Sequence, residues 1–404
     1  MIESETHLGH NGYWQQPMRD TLPAMTYVQT RFVSLAGHVG VSIEGSNATV
    51  PGDDRYHGDS VNDLTLPPMD PYGPITRYFD VFHRGTNSCS WSAAPWVPWV
   101  HLSAYNGSTG PNGTDTRVFI RVDWAAAPRA PSATTVNINI TTPCRGLDKY
   151  GFQPPKVLLP VVNRLVPPNL TSGFVESDGH VAIEGPHYSA VLPPTSPSNA
   201  STGLHYRTLT NYGRTMGGVG LYPPETEKLA VGEGPALEYD VYLFTNTSAA
   251  NVTLYLSPSQ NYLTDQNPLE YAISLFPKGS ADQPAPKIVQ PVGRTFGGNM
   301  PAGWGNAVAD SVWGLKGNLT TSSFNVTHEG AYTLRIWCLL PSIVIQKVVI
   351  DLGGVRASYL GPPESFLVGR DRVGEYNQTS FLNSPGILGG VGNEDATRRQ
   401  RVAA

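Results

Sequence analysis

Charge is scarce in this sequence: Asp, Glu, Lys and Arg make up 15% of its 404 residues, against a typical ~25%. That depletion argues against helical bundles and coiled coils, which depend on charged helix faces. The formal net charge of -5 provides no basic footprint for nucleic acid or an anionic membrane surface, so neither is expected as a partner. No apolar run reaches the ~18 residues read as a bilayer-crossing helix. The opening MIESETHLGH lacks the charged and apolar regions of a signal peptide. Its three cysteines, Cys89, Cys144 and Cys338, match no zinc or redox spacing. Also missing are the G-x-S-x-G elbow, the H-E-x-x-H zinc motif, a Walker loop and a dinucleotide fingerprint, so no cofactor is expected.

What remains is rich in turn and core formers. There are 42 glycines and 36 prolines, and 40% of residues are hydrophobic, with 8 Trp, 19 Tyr and 12 Phe. Such a chain has too much core material for overall disorder and enough length for two or three domains of about 100 to 200 residues. The reading is mainly all-β: two antiparallel β-sandwich or jelly-roll domains in tandem, behind a short N-terminal helical remnant. Residues 1–30 read as the end of a helical bundle, stopped by Pro17 and Pro23. Residues 31–150 form the first sandwich, 151–165 a Pro-rich connector, 166–365 the second sandwich and 366–404 a disordered tail. In Arg117 to Asp123, Val118, Ile120 and Val122 alternate with Arg117, Arg121 and Asp123, which marks a strand with one buried and one wet face. Runs at 78–83, 97–102, 135–140, 181–184, 237–244, 252–256, 271–276, 331–340 and 343–351 read as strands too. Trp304 to Trp313 reads as a short helix with Trp304, Val308 and Val312 on one face. The glycine-rich pieces at 216–220 and 296–298 read as turns.

Candidate chemistry is sparse. Asp53 with Asp54, and Glu176 with Glu184, are carboxylate pairs of the kind that glycosidic acid–base work requires, if folding brings them to a suitable separation. His7 and His10 lie at i, i+3 without a third ligand nearby, so packing or solvent exposure is favoured over metal. Trp91, Trp96 and Trp99 are candidate carbohydrate contacts, because flat rings stack on the C–H faces of sugars; burial is the commoner fate of Trp in a sandwich. Cys89 and Cys144 fall in one domain and are candidates for a disulfide, whereas Cys338 sits in an apolar run as a buried thiol. Eleven asparagines open N-x-S/T sequons: Asn47, Asn106, Asn112, Asn139, Asn169, Asn199, Asn246, Asn251, Asn318, Asn325 and Asn377. Chance predicts about four, so these surfaces are expected to be glycosylated in a secretory pathway. The chain is then secreted, and the absent signal peptide implies a missing front half.

Several stretches resemble the C-terminal half of glycoside hydrolase family 115, the xylan α-1,2-glucuronidases. They are Gly12 to Arg19, Pro67-Pro68-Met69-Asp70-Pro71-Tyr72-Gly73 with Arg77 to Asp80, Arg117 to Trp124, and Phe174-Val175-Glu176-Ser177. Leu237 to Phe244, Leu254 to Pro258, Gln346 to Asp351 and Ser358 to Ser365 complete the set. The resemblance implies a fungal-type enzyme whose catalytic (β/α)8-type barrel has no counterpart here, so no catalytic residue carries over. It implies accessory β domains of an extracellular enzyme that removes (4-O-methyl)glucuronic acid from xylan, inactive on their own, with xylan or a related plant polysaccharide as partner through the full-length enzyme and a homodimer as a further expectation. The alternative is a stand-alone carbohydrate-binding protein. Related jelly rolls hold a structural calcium between opening glutamates and a closing aspartate. Here Glu184 and Asp351 are the candidate remnant of that site, with Pro186 where a second carboxylate would stand, and no bound metal is expected.

Overall fold

A computed structural model describes residues 39–46, 49–50, 63–84, 87–110, 115–130, 132–144, 155–195, 203–215, 217–260, 268–292, 300–313 and 320–369. The helical remnant, His7, His10, Asp53, Asp54, the glycines at 297–298 and the tail beyond 369 lie outside the described residues. Within them the protein is almost entirely β-sheet.

The first sandwich contains β1 (Val39–Ile43), β2 (Thr49–Val50), β3 (Asp63–Thr65), β4 (Arg77–His83) and β5 (Cys89–Pro95). It continues with β6 (Val100–Leu102), β7 (Asn106–Thr109), β8 (Thr116–Val122), β9 (Thr134–Thr141) and β10 (Lys156–Val161). Two sheets, β2-β1-β4-β8-β6 and β3-β10-β9-β5-β7, face each other. Period-two patterning sets their inner faces: Val118, Ile120 and Val122 of β8 point inward, as do Val136, Ile138 and Ile140 of β9. All pairings are antiparallel except β3 with β10. A disulfide joins Cys89 at the start of β5 to Cys144 beyond β9.

Strand β10 lies inside the stretch that its prolines mark as a connector. It is hydrogen-bonded on both sides and closes the first sandwich with Val157, Leu159 and Val161. Pro160 fits because β3 ends opposite Leu158. The Pro160 carbonyl accepts from Met69 N–H at 2.9 Å, so the missing proline N–H faces the same edge, past the last ladder bond with β3.

The second sandwich contains β11 (Phe174–Val175), β12 (His180–Glu184), β13 (Ala190–Leu192), β14 (His205–Thr210), β15 (Gly217–Tyr222) and β16 (Ala236–Leu243). The remaining elements are β17 (Thr247–Leu256), β18 (Tyr271–Pro277), β19 (Lys287–Val289), the helix α1 (Trp304–Asp310), β20 (Thr321–Val326), β21 (Gly330–Cys338) and β22 (Val344–Asp351). One sheet runs β11-β16-β21-β18-β19 with β13 also on β16; the other runs β14-β15-β22-β17-β20 with β12 also on β22. Only β11 pairs in parallel, with β16. Tyr239, Tyr271, Tyr332, Leu334, Val348 and Ile350 are among the residues that fill the space between the sheets.

Two local expectations change. The glycines at 217–220 form a strand, not a turn: a Cβ on Gly217 would meet the Leu209 carbonyl oxygen at 2.5 Å and one on Gly218 would meet Val344 Cγ1 at 2.7 Å. Their lack of side chains lets β15 lie close between β14 and β22. In α1, Val308 is half exposed and Ala307 is the buried residue. The helix ends before Val312, where Ser311 turns into the left-handed region at φ 57°, so the 304/308/312 face never forms.

Candidate functional site

The tryptophan cluster divides. Trp91 occupies an inward position of β5 between Cys89 and Ala93 and is 2% exposed; Trp99 is 7% exposed. Both belong to the first core and are corrected from sugar contacts to packing residues, because strand alternation and the step into β6 turn them inward. Trp96 lies in the connection between β5 and β6 and is 61% exposed, with its backbone N–H held by the Asn137 carbonyl at 3.1 Å. Beside β5 is a shallow polar cavity of 260 Å³, lined by Ser90, Trp91, Ser92, Thr141, Thr142 and Pro143. Of the sequon residues that are described, Asn106, Asn139, Asn169, Asn246 and Asn325 are exposed and Asn251 is half-buried.

Glu184 and Asp351 do not meet. Along the β12–β22 ladder Glu184 lies opposite Lys347, and Asp351 lies opposite His180. Four ladder steps separate them, roughly 13 Å at the usual rise per residue. Asp351 Oδ1 caps the turn after β22, accepting from Gly353 N–H at 2.8 Å and Val355 N–H at 3.3 Å. Glu184 has an internal cation instead: Lys347 Nζ is 3.1 Å from its Oε1. The same ammonium donates to the carbonyls of Pro362 (2.9 Å) and Leu360 (3.3 Å). All three ammonium donors thus have oxygen partners, and the residues do not fit a calcium remnant. No group of three or more His, Cys, Asp or Glu positioned for a metal occurs among the described residues.

This buried ion pair anchors a polar cluster on the outer face of the β12/β22 sheet. Thr215 Oγ1 donates to Glu184 Oε2. Glu364 Oε1 accepts from Glu184 N–H at 3.0 Å and lies 2.7 Å from His187 Nδ1. Ser365 Oγ accepts from Ala182 N–H at 3.0 Å, so the strap at 358–365 is fastened across the sheet by its own polar residues. The neighbouring Gln346 donates to Ser257 Oγ (3.0 Å) and the Ser311 carbonyl (2.9 Å), and accepts from Arg214 N–H (3.0 Å). The other candidate carboxylate, Glu176, is 1% exposed and accepts from Phe244 N–H, Thr245 N–H and Thr245 Oγ1. Glu176 and Glu184 are each occupied by fixed partners, so they do not make an acid–base pair.

A second polar cluster joins the two sandwiches. Asp178 and Gly179 form a two-residue turn, at φ 49° and 68°, between the mutually bonded Ser177 and His180. Both angles are positive, as a primed hairpin turn requires, and Asp-Gly is a favoured pair there. The turn presses on Asp70 of the first unit, whose Oδ2 accepts from Ser177 Oγ (2.8 Å) and Asp178 N–H (3.1 Å). Asp70 Oδ1 meanwhile accepts from Tyr72 and Gly73 N–H, both at 2.8 Å. Arg77, 4% exposed, reaches Glu44 at 2.8 Å, Asp178 at 3.2 Å and the Pro68 carbonyl at 3.0 Å. Apolar support comes from Tyr72, whose ring lies 6.0 Å from Phe244 and 5.6 Å from Phe366. Gly73 is required by close approach: a Cβ there would sit 2.4 Å from Ser177 Oγ.

The second sandwich, its polar cluster and its side of the joint coincide with a known domain. Residues 173–364 match the family model for the glycosyl hydrolase family 115 C-terminal domain. That span begins one residue before β11 and ends at Glu364 of the strap. Among solved structures, the chain is similar to a family GH115 4-O-methyl-α-glucuronidase, BtGH115A, with specificity for decorated arabinogalactans. The two share 16% identity over 40% of this chain and 17% of that one, with a TM-score of 0.26. The 404-residue chain therefore spans under a fifth of that enzyme's length. A two-domain protein of unknown function from Bacteroides fragilis matches at 10% identity over 78% of this chain and 95% of its own, with a TM-score of 0.24. The periplasmic chaperone SfaE matches at 10% identity over 45% of this chain and 90% of its own, with a TM-score of 0.20. No curated protein matches.

Proposed function

We propose that this chain is the accessory β portion of an extracellular, fungal-type α-glucuronidase that removes (4-O-methyl)glucuronic acid from xylan. The catalytic barrel of that enzyme lies outside these 404 residues, and the β domains shape or stabilise it, in a homodimer. The match of residues 173–364 to the family 115 C-terminal domain carries this reading. The chemistry of the described carboxylates is consistent with it: Glu184 is neutralised by Lys347, and Glu176 is held by the backbone at Phe244 and Thr245. The exposed sequon residues support secretion and glycosylation.

Two measurements test the reading. Purified chain incubated with glucuronoxylan is expected to release no 4-O-methylglucuronic acid, and the genomic reading frame upstream of Met1 is expected to encode a barrel. Release of the acid by the chain alone, or stop codons in every upstream frame, would sink it. A second reading, a stand-alone polysaccharide-binding protein, is favoured by the exposure of Trp96. It requires retention on insoluble xylan that Trp96→Ala removes.

A further inference from the structure

We propose that Arg214, with Tyr359, forms a binding site for a carboxylate carried on a flat, C–H-faced ring, the chemistry of an acidic sugar unit. Arg214 lies in the turn between β14 and β15 and is fixed from its backbone by the bond to Gln346 Oε1. The preceding Gly213, at φ 80°, lets that turn close onto the Gln346 side chain, which a Cβ would meet at 2.4 Å. The guanidinium carbon lies 3.8 Å from the centre of the Tyr359 ring. Its Nε, Nη1 and Nη2 are all shut off from solvent, and none has a hydrogen-bond partner among the described residues.

A guanidinium is always charged and carries five donors. Each donor buried without an acceptor costs about 1–3 kcal/mol, so a fixed, unpaired guanidinium is the group in this sandwich with most to gain from an anion. A carboxylate suits the planar fork because it accepts two parallel N–H bonds. The ring beside it defines what carries that carboxylate: Tyr359 is 66% exposed, offering its outer face to sugar C–H groups. Access requires the Tyr359 ring, within the turn at Ser358–Gly361, to slide from over the guanidinium to its edge. That turn is held by one long backbone bond, Gly361 N–H to the Ser358 carbonyl at 3.4 Å, and by Lys347 Nζ donating to the Leu360 carbonyl at 3.3 Å, and it leaves Tyr359 and Leu360 mostly in water. Beyond it, Pro362 and Glu364 hold the strap in place.

The choice of an acidic sugar rests on the proposed glucuronidase context, whereas the demand for a carboxylate rests on Arg214 alone. The test is calorimetric titration of the full chain with sodium glucuronate, glucose and sodium acetate, repeated on Arg214→Gln and Tyr359→Ala with folding checked by circular dichroism. The expected result is that glucuronate binds, glucose does not, and acetate binds more weakly than glucuronate. Arg214→Gln should lower glucuronate affinity at least about tenfold, and Tyr359→Ala about three- to tenfold. No glucuronate binding, equal binding to Arg214→Gln, or acetate binding as tightly as glucuronate would each overturn the proposal. None of these titrations depends on catalysis by the chain, so a failure here is separate from a failure of the glucuronoxylan and reading-frame tests.

Discussion

Lys347 shows how one side chain decides what a carboxylate can do. Glu184 is 3% exposed and would be very costly to keep ionised without a counter-charge. Lys347, equally buried, supplies that charge from the neighbouring strand of the same sheet, and the strap carbonyls use its remaining donors. Removing one partner strands the other, so Lys347→Ala is expected to destabilise the second sandwich by about 3–5 kcal/mol. The double variant Glu184→Gln/Lys347→Met, which keeps the volumes and removes both charges, should cost clearly less. Urea unfolding of the whole chain measures both; a loss below about 1 kcal/mol for Lys347→Ala would mean the pair behaves like a surface ion pair. At this scale the sequence was only partly readable. Glu184 stood out as a carboxylate in an apolar strand, but the antiparallel register that brings Lys347 opposite it, and sends Asp351 away, is a long-range property.

Four strands of the second sandwich bring a different titratable set together. Tyr206 in β14 donates to the Pro235 carbonyl and accepts from Cys338 N–H in β21. Tyr239 in β16 donates to the Gly185 carbonyl at 2.7 Å, and Tyr271 in β18 to the Thr320 carbonyl at 3.1 Å. Burial raises the pKa of Tyr206 and Tyr239 well above the usual phenol range, and raises that of Tyr271 as well. Burial also pushes the Cys338 thiol up to about 12, with the Tyr206 hydrogen bond opposing. Groups whose folded values are raised contribute stability that is complete below their unfolded values, about 8.5 for thiol and 10 for phenol. That stability is lost as pH climbs from there toward the folded values. The sandwich is therefore expected to lose stability from about pH 9 upward, each group adding up to about 1.4 kcal/mol per pH unit. Tyr271→Phe should flatten the alkaline slope of the melting temperature, and an unchanged slope would count against this origin. Strand β8 was legible from its alternation, and β9, β16, β21 and β22 were legible as runs of strand-forming residues. Strands β10 and β15 were not, because proline and glycine signal turns locally, and only the neighbouring strands explain why each is tolerated.

For the molecule as a whole, the joint at Asp70, Arg77 and Asp178 makes the two sandwiches mechanically dependent. Arg77 pairs with Glu44 and Asp178 at once, and Asp178 also pairs with Arg356 at 3.0 Å, so Arg77→Ala takes the cation from half-buried Glu44 and one of two from Asp178. Calorimetry of the wild-type chain is expected to give one unfolding transition for both sandwiches. Arg77→Ala should split it in two, with a loss of about 1–3 kcal/mol in the coupled state. A single, unshifted transition in the variant would show that the apolar contacts of Tyr72 with Phe244 and Phe366 suffice alone. The residues of this joint include Asp70, Tyr72, Gly73, Arg77 and Ser177, all within stretches that resemble the family. Their role here is to brace and position, which the motif pattern did not reveal.

By itself the sequence determined the β character of this protein, the inner face of β8 and the absence of recognisable catalytic motifs. These follow from composition, a two-residue period and short motifs, which are local properties. The tertiary structure decided that Trp91 and Trp99 belong to a core, that Lys347 is the cation beside Glu184, and that the Arg214 guanidinium has no hydrogen-bond partner among the described residues. Each of those depends on sheet register or on contacts between residues far apart in the chain, where side-chain burial and hydrogen-bond satisfaction are settled.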